Sequence, residues 1–256
     1  MTTSIQSRFS HTKTGLSKLA LALAGSLALL ASAPAAAAII DFESQLPTIY
    51  LPGETFEEAG FFLTAVDNHG GSGIPGGLAN GFDPTTCPLG GCPTGNNSLF
   101  YVGVNDGGLD ITRNWVENTF MLRGFDFSFL APVGDLDPGV YGQLQLSATT
   151  VGGATITTSL DFPAVGANGR PPFGAAALGS AFMNATLTSL NIRACLFDGN
   201  ACVNPGDDSQ QINQAQFAID NINLAEVPEP GSMALIGLGM GALALRRRKT
   251  TANNNA

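Results

Sequence analysis

Between residues 39 and 226 apolar and polar side chains alternate with a period of two, the signature of strands with one buried face. In Phe125-Asp126-Phe127-Ser128-Phe129 three rings share one face and Asp126 and Ser128 the other. Gln143 to Ala148 places Leu144 and Leu146 inward with Gln143 and Gln145 outward. Phe100, Val102 and Val104 share a face, and so do Ile156, Leu160 and Phe162. Further strands are predicted at Ile39–Glu43, Glu58–Val66, Ile111–Val116, Thr186–Arg193 and Gln216–Leu224, about nine strands in all, separated by Gly, Pro, Asn and Asp turns. This pattern predicts an all-β chain folded as a single, jelly-roll-like β-sandwich. Two Gly- and Pro-rich stretches, Asn68–Asn97 and Ala164–Ser180, read as long connections, the second with one short helical turn.

In the last predicted strand the alternation slips. Phe217 and Ile219 fall on one face, Ile222 and Leu224 on the other, and the break sits at Asp220-Asn221. A phase slip of this kind predicts a β-bulge, which re-aims a side chain and frees backbone carbonyls.

Both ends of the chain follow a different pattern. Arg8, Lys13 and Lys18 precede an apolar run from Leu19 to Ala31, and the small-residue stretch Ser32 to Ala38 follows. That order describes a secretory signal peptide over residues 1–38, with cleavage options after Ala33, Ala36, Ala37 or Ala38 and the last favoured. At the other end Pro228-Glu229-Pro230 leads into an apolar segment, Met233 to Leu245, closed by Arg246, Arg247, Arg248 and Lys249, with a polar tail over 250–256. Thirteen helical residues cover about 20 Å, a short membrane segment. The basic cluster fits the cytoplasmic side, which leaves the body outside, as the signal peptide also requires.

The Pro-Glu-Pro triplet, short hydrophobic helix and terminal arginine cluster together resemble the PEP-CTERM sorting signal, here residues 227–249. The resemblance implies an exosortase-type membrane enzyme as processing partner, with transient inner-membrane anchoring followed by a cell-surface or extracellular destination. The body between the two addresses would be an exported, non-enzymatic surface or matrix protein, associated with exopolysaccharide.

Charge sharpens this picture. The 39–226 body holds four arginines, no lysine and nineteen acids, a net of −15. Such a surface excludes nucleic acid as a partner, since phosphate contacts need cations. Four cysteines form two close pairs, Cys87/Cys92 and Cys195/Cys202. In an oxidising compartment they are expected to form two local disulfides, and the wider second spacing departs from zinc-site spacing.

Catalytic constellations are scarce. His69 is the body's one histidine, and neither a Gly-x-Ser-x-Gly elbow, a P-loop nor a dinucleotide fingerprint accompanies it. Glycan hydrolysis needs only two carboxylates, yet nothing in the spacing singles out a pair. A carbohydrate-binding module is the alternative reading. It requires exposed aromatics that stack on sugar faces, with Tyr101 and Trp115 the leading candidates and Tyr50 and Tyr141 behind them. The early Asp41-Phe42-Glu43 and the late Ile219-Asp220-Asn221-Ile222 also resemble the calcium-holding ends of carbohydrate-binding and MAM-like jelly rolls, although the cysteine pattern is not that of MAM domains. That resemblance implies Glu43 and Asp220, with Asp41 beside them, as oxygen ligands of a structural calcium.

Overall fold

The computed structural model describes residues 37–68, 73–87, 91–113, 119–131, 134–199, 201–203 and 215–227. All of them lie in one compact unit, Ala36–Val227. Residues 1–36 of the expected signal peptide, His69, Trp115, the triplet Pro228 to Pro230, the apolar segment 233–245 and the cluster Arg246 to Lys249 fall outside the described residues. Among the described residues no helix is long and apolar enough to cross a membrane.

The described chain is a two-layer antiparallel β-sandwich. One layer runs in the order β2 (Thr48–Tyr50), β5 (Gly76–Asn80), β6 (Leu99–Gly103), β14 (Phe217–Glu226), β8 (Phe120–Phe129). The other runs β3 (Thr55–Glu58), β4 (Phe61–Asp67), β7 (Gly107–Arg113), β12 (Leu187–Asp198), β9 (Gly142–Thr150), β10 (Thr155–Asp161). The layers join where β8 meets β12 through the pair Phe120 and Leu187. β1 (Ala37–Ile40) lies against the C-terminal half of β14, β11 (Gly174–Ala175) pairs with β8, and β13 (Ala201–Val203) pairs with β12.

The inner faces meet in one core. Phe61 and Leu63 of β4, Ile111 of β7, Leu144 and Leu146 of β9, and Ile192 of β12 pack with Phe125, Phe127 and Phe129 of β8 and with Phe217 and Leu224 of β14. Burying apolar side chains of this size supplies about 1.5–3 kcal/mol each, and it is the main force holding the layers together. Phe61 meets Phe120 edge to face at 5.4 Å. A smaller cluster on the outer side of β6 contains Phe100, Val102, Val104 and Ala218, together with Ile74, Cys92, Leu130 and Phe173 from segments between strands.

Several elements differ from the sequence expectation. The run Glu58–Val66 is not one strand. Ala59 and Gly60 take positive φ, +50° and +79°, and make a two-residue hairpin turn between β3 and β4, the mirror-image turn that suits strand twist. The connection Asn68–Asn97 contains a strand, β5, with sequence Gly-Gly-Leu-Ala-Asn. Its glycines answer crowding: a Cβ on Gly76 would sit 2.1 Å from the Tyr101 hydroxyl, and one on Gly77 2.5 Å from the Thr48 carbonyl oxygen. β2, β11 and β13 are short strands that the alternation also misses, bringing the total to fourteen among the described residues. β1 begins at Ala37, ahead of the favoured cleavage point after Ala38, and pairs Ala37 with Ala225 and Ala38 with Leu224. The first strand ends at Ile40 rather than Glu43 because Phe42 turns to φ +59°. The Ala164–Ser180 connection leads into a single helical turn, Ser180–Met183, which buries Phe182.

Both expected disulfides form, Cys87 to Cys92 beside β5 and Cys195 to Cys202 across the β12–β13 hairpin. Gly76→Ala in the exported protein should lower the unfolding free energy by about 1–3 kcal/mol, as overpacking against Tyr101 requires. Chemical denaturation checks this, and an unchanged midpoint would contradict the close approach of β5 to β6.

Candidate functional site

The slip at Asp220-Asn221 is a bulge. On the β8 side, Asp220 faces Asp126 and Asn223 faces Gly124, so two β14 residues stand against one of β8; Leu224 then faces Leu122, which leaves Arg123 of β8 extra and restores the register. Asn221 takes φ +52°, a region where Asn is tolerated better than most residues. The extra residue brings Phe217, Ile219, Ile222 and Leu224 all into the same core.

The bulge also divides the other edge of β14 between two partners. β6 pairs with Phe217 to Ile219, β1 pairs with Ile222 to Ala225, and the gap falls at 220–221. Asp41, Phe42 and Glu43 leave β1 at this gap, and Asn96 to Ser98 enter β6 there.

Polar side chains close the junction. Asp220 is 1% exposed. Its Oδ1 accepts from the Asn221 N–H at 2.7 Å, and its Oδ2 accepts from Asn96 Nδ2 at 2.6 Å. Ser98 Oγ lies 3.0 Å from that same Oδ2 and 2.6 Å from Asn96 Oδ1, with one proton to give. The Ser98 N–H donates to Asn96 Oδ1 at 2.7 Å, which orients the amide. Asn221 Nδ2 donates to Asp126 Oδ2 at 3.0 Å, and Glu43 Oε1 accepts from the Leu99 N–H at 2.9 Å. Burial pushes the Asp220 carboxyl above its ordinary range, against the donors from Asn96, Asn221 and Ser98 that pull it down.

A second buried carboxyl ties the opposite layer to this point. Glu58 of β3 accepts the Phe42 N–H at 2.7 Å and the Asp41 N–H at 3.3 Å, both on Oε1. Its Oε2 is buried with no hydrogen-bond partner among the described residues. Desolvation raises its affinity for a proton, the Phe42 N–H opposes that, and the nearby Asp41 charge adds to it. Phe42 holds its positive φ because its ring is wholly buried against Phe56 and Tyr101.

The residues proposed as calcium ligands are brought to one junction but do not form a cage. Both Asp220 oxygens and Glu43 Oε1 already accept protein donors, and among the described residues no three acidic, histidine or cysteine side chains converge on a point. A calcium site draws on six to eight oxygens; the oxygens named here serve as acceptors in a hydrogen-bonded clasp.

Tyr101 corrects the sugar-stacking expectation. Phe100 and Val102 do face away from it, but both faces of β6 are covered. Tyr101 is fully buried, its hydroxyl donates to the Gly108 carbonyl at 3.0 Å, and burial raises its pKa. Tyr50 stacks on Phe56 at 4.5 Å, and Tyr141 stacks on Phe129 at 5.7 Å. The exposed aromatic among the described residues is Phe82, at 76%. With sixteen phenylalanines to place, periodicity had no means of separating it from the core set, because it sits in a turn. Phe82 stands at the rim of a cleft of about 440 Å³ beside the bulge, which Asp41, Glu43, Asn80, Asn97 and Asn221 also line.

Residues 226–249 match the PEP-CTERM protein-sorting motif. The match opens on Glu226, the last residue of β14, whose carboxylate pairs with Arg113 of β7 at 2.8 Å. The protein therefore carries the signal of exported proteins that are held at the membrane before exosortase processing. A search of curated proteins found no match to the chain. Solved structures match the chain at low similarity. An arabinose-bound GH51 α-L-arabinofuranosidase is 11% identical with TM-score 0.35, over 75% of this chain and 27% of its own. A Stig cyclase from Fischerella sp. TAU is 13% identical with TM-score 0.36, over 75% of this chain and 99% of its own. The bacteriophage CBA120 tailspike protein 4 is 11% identical with TM-score 0.29, over 66% and 19%. The chain thus spans about a quarter of the arabinofuranosidase, and at TM-scores below 0.5 these likenesses carry no functional argument.

Two predictions follow from the clasp. Asp220→Ala should cost about 1–3 kcal/mol by stranding the Asn96 and Asn221 donors, while a chelator should leave the melting temperature unchanged, because a bound ion would otherwise add stability. A large chelator-induced drop would reinstate a metal. As for pH, Asp220 and Glu58 bind protons more tightly folded than unfolded. Their contribution is therefore greatest on the acid side and is lost as pH climbs from the ordinary carboxylate range through the raised values. The melting temperature should rise as pH is lowered from neutral toward the ordinary carboxylate range, and Glu58→Gln should flatten that slope; a Glu58→Gln profile parallel to wild type would contradict the assignment.

Proposed function

We propose that this protein is a non-enzymatic component of the cell surface or extracellular matrix, delivered by its C-terminal signal into a polysaccharide-rich layer. The observation that carries this reading is the sorting motif, which begins where the last strand of the sandwich ends. Chain composition supports it. A lysine-free body with a net charge of −15 resists non-specific adhesion to anionic polymers, and two local disulfides suit an oxidising exterior. The buried carboxyls Asp220 and Glu58 are engaged with backbone and side-chain donors as structural acceptors, which favours a binding or architectural role over turnover.

Signal peptidase would act first, and the register of β1 supports a cut ahead of Ala37. Cleavage after Ala38 would remove the residues paired with Leu224 and Ala225, whereas cleavage after Ala33 or Ala36 leaves the strand whole. Cell fractionation with mass spectrometry of the mature termini tests both steps. The mature N-terminus should lie at or before Ala37, and deletion of residues 228–249 should move the protein from the surface fraction to the medium or periplasm. Unchanged fractionation of the deletion would contradict the function, and a terminus at Ile39 would contradict the role given to β1.

A further inference from the structure

We propose that the cleft beside the β14 bulge is a glycan-binding site, with Phe82 as its stacking platform and a neutral, hydroxyl-rich sugar as its ligand. The proposal deepens the matrix reading and rests on it for the presence of polysaccharide around the protein. Its volume, about 440 Å³, falls in the range of small-ligand sites.

The lining combines what a pyranose presents. A sugar ring offers an apolar C–H face and a perimeter of hydroxyls. Phe82 offers an exposed ring, and Asp41, Glu43, Asn80, Asn97 and Asn221 offer carboxylate and amide groups around it. Carboxylates accept hydroxyl protons strongly, and aromatic faces favour the polarised C–H bonds of sugars.

Phe82 is held in place before any ligand arrives. Its N–H donates to Asn80 Oδ1 at 2.9 Å, and the preceding Gly81 N–H donates to the Ser98 carbonyl at 2.9 Å. A Cβ on Gly81 would lie 2.3 Å from the Asn96 carbonyl oxygen, so the turn is pressed against the segment that leads into β6. Asp83 then caps the 3-10 turn Pro84–Thr86 through the Thr85 N–H at 3.1 Å, and the Cys87–Cys92 disulfide closes the loop beyond it. A large apolar ring left in water on a pinned turn, next to a polar cleft, is preorganised for a partner.

Charge selects the ligand. The cleft carries two carboxylates and no arginine or lysine on its walls, so a uronate- or sulfate-bearing polymer would be repelled. A bare cation is disfavoured by the absence of three converging ligands among the described residues.

The test uses the exported full-length product purified from the producing cells. Isothermal titration with neutral gluco-, galacto- and arabino-oligosaccharides and with alginate oligosaccharide should show saturable binding to a neutral member and none to alginate. Phe82→Ala should weaken that binding about tenfold or more with an unchanged melting temperature, Phe82→Trp should retain it, and Asn97→Ala should weaken it as well. Binding to alginate alone, no binding across the panel, or equal binding by Phe82→Ala would each overturn the site. These failures are distinct from failure of the matrix reading, because surface retention of the Phe82→Ala protein is scored separately by fractionation.

Discussion

One extra residue in the last strand organises the described fold. Without Asn221 as an insertion, Ile222 and Leu224 would face away from the core that Phe217 and Ile219 fill, since a single-residue shift inverts every side chain beyond it. With it, β14 keeps four large apolar residues in one core and changes partners midway along an edge, from β6 to β1. The bulge is therefore both a packing correction and the seam between the first and last strands of the body.

That seam creates a problem of polar accounting, and the sequence around it supplies the answer. A bulge leaves backbone groups without ladder partners, and buried groups of that kind must be paired. Asp220, Asn96, Ser98, Glu43 and Asn221 meet there from three parts of the chain: Asn96 and Ser98 reach Asp220, Glu43 takes the Leu99 N–H, and the Asn221 amide reaches Asp126. Glu58 reaches across from the other layer to hold the backbone of Asp41 and Phe42. Three of these residues, Glu43, Ser98 and Asn221, also line, with Phe82, a cleft on the outside. The strand that carries the bulge runs directly into the sorting motif.

Much of this was legible in the alternation. Phe125, Phe127 and Phe129 face inward as their spacing requires, Leu144 and Leu146 do likewise, and the break at Asp220-Asn221 is visible from residue types alone. What escaped follows from packing that a linear pattern does not carry. β5 is rich in glycine because Tyr101 and the β2 backbone approach it, so it reads as loop. Tyr101 lies opposite an apolar face, which suggests exposure, yet β6 is covered on both sides and that inference fails. Ala59 takes a positive φ that only the β3–β4 pairing enforces. Glu43, Asp220 and Asn221 were recognisable together, but the donors from Asn96 and Leu99 were not, because the pattern marks neither residue.

The central claim is that the β14 bulge, clasped by Asp220, holds β1 and β6 on one strand edge. Amide hydrogen exchange followed residue by residue on the exported protein and its Asp220→Asn variant tests it most directly. The account predicts slow exchange at Ile219 and Leu224 in the wild type, with protection lost selectively at the β1 and Asn96–Leu99 amides in the variant. Rapid exchange along β14 in the wild type, or a loss of protection spread evenly over both layers in the variant, would contradict it.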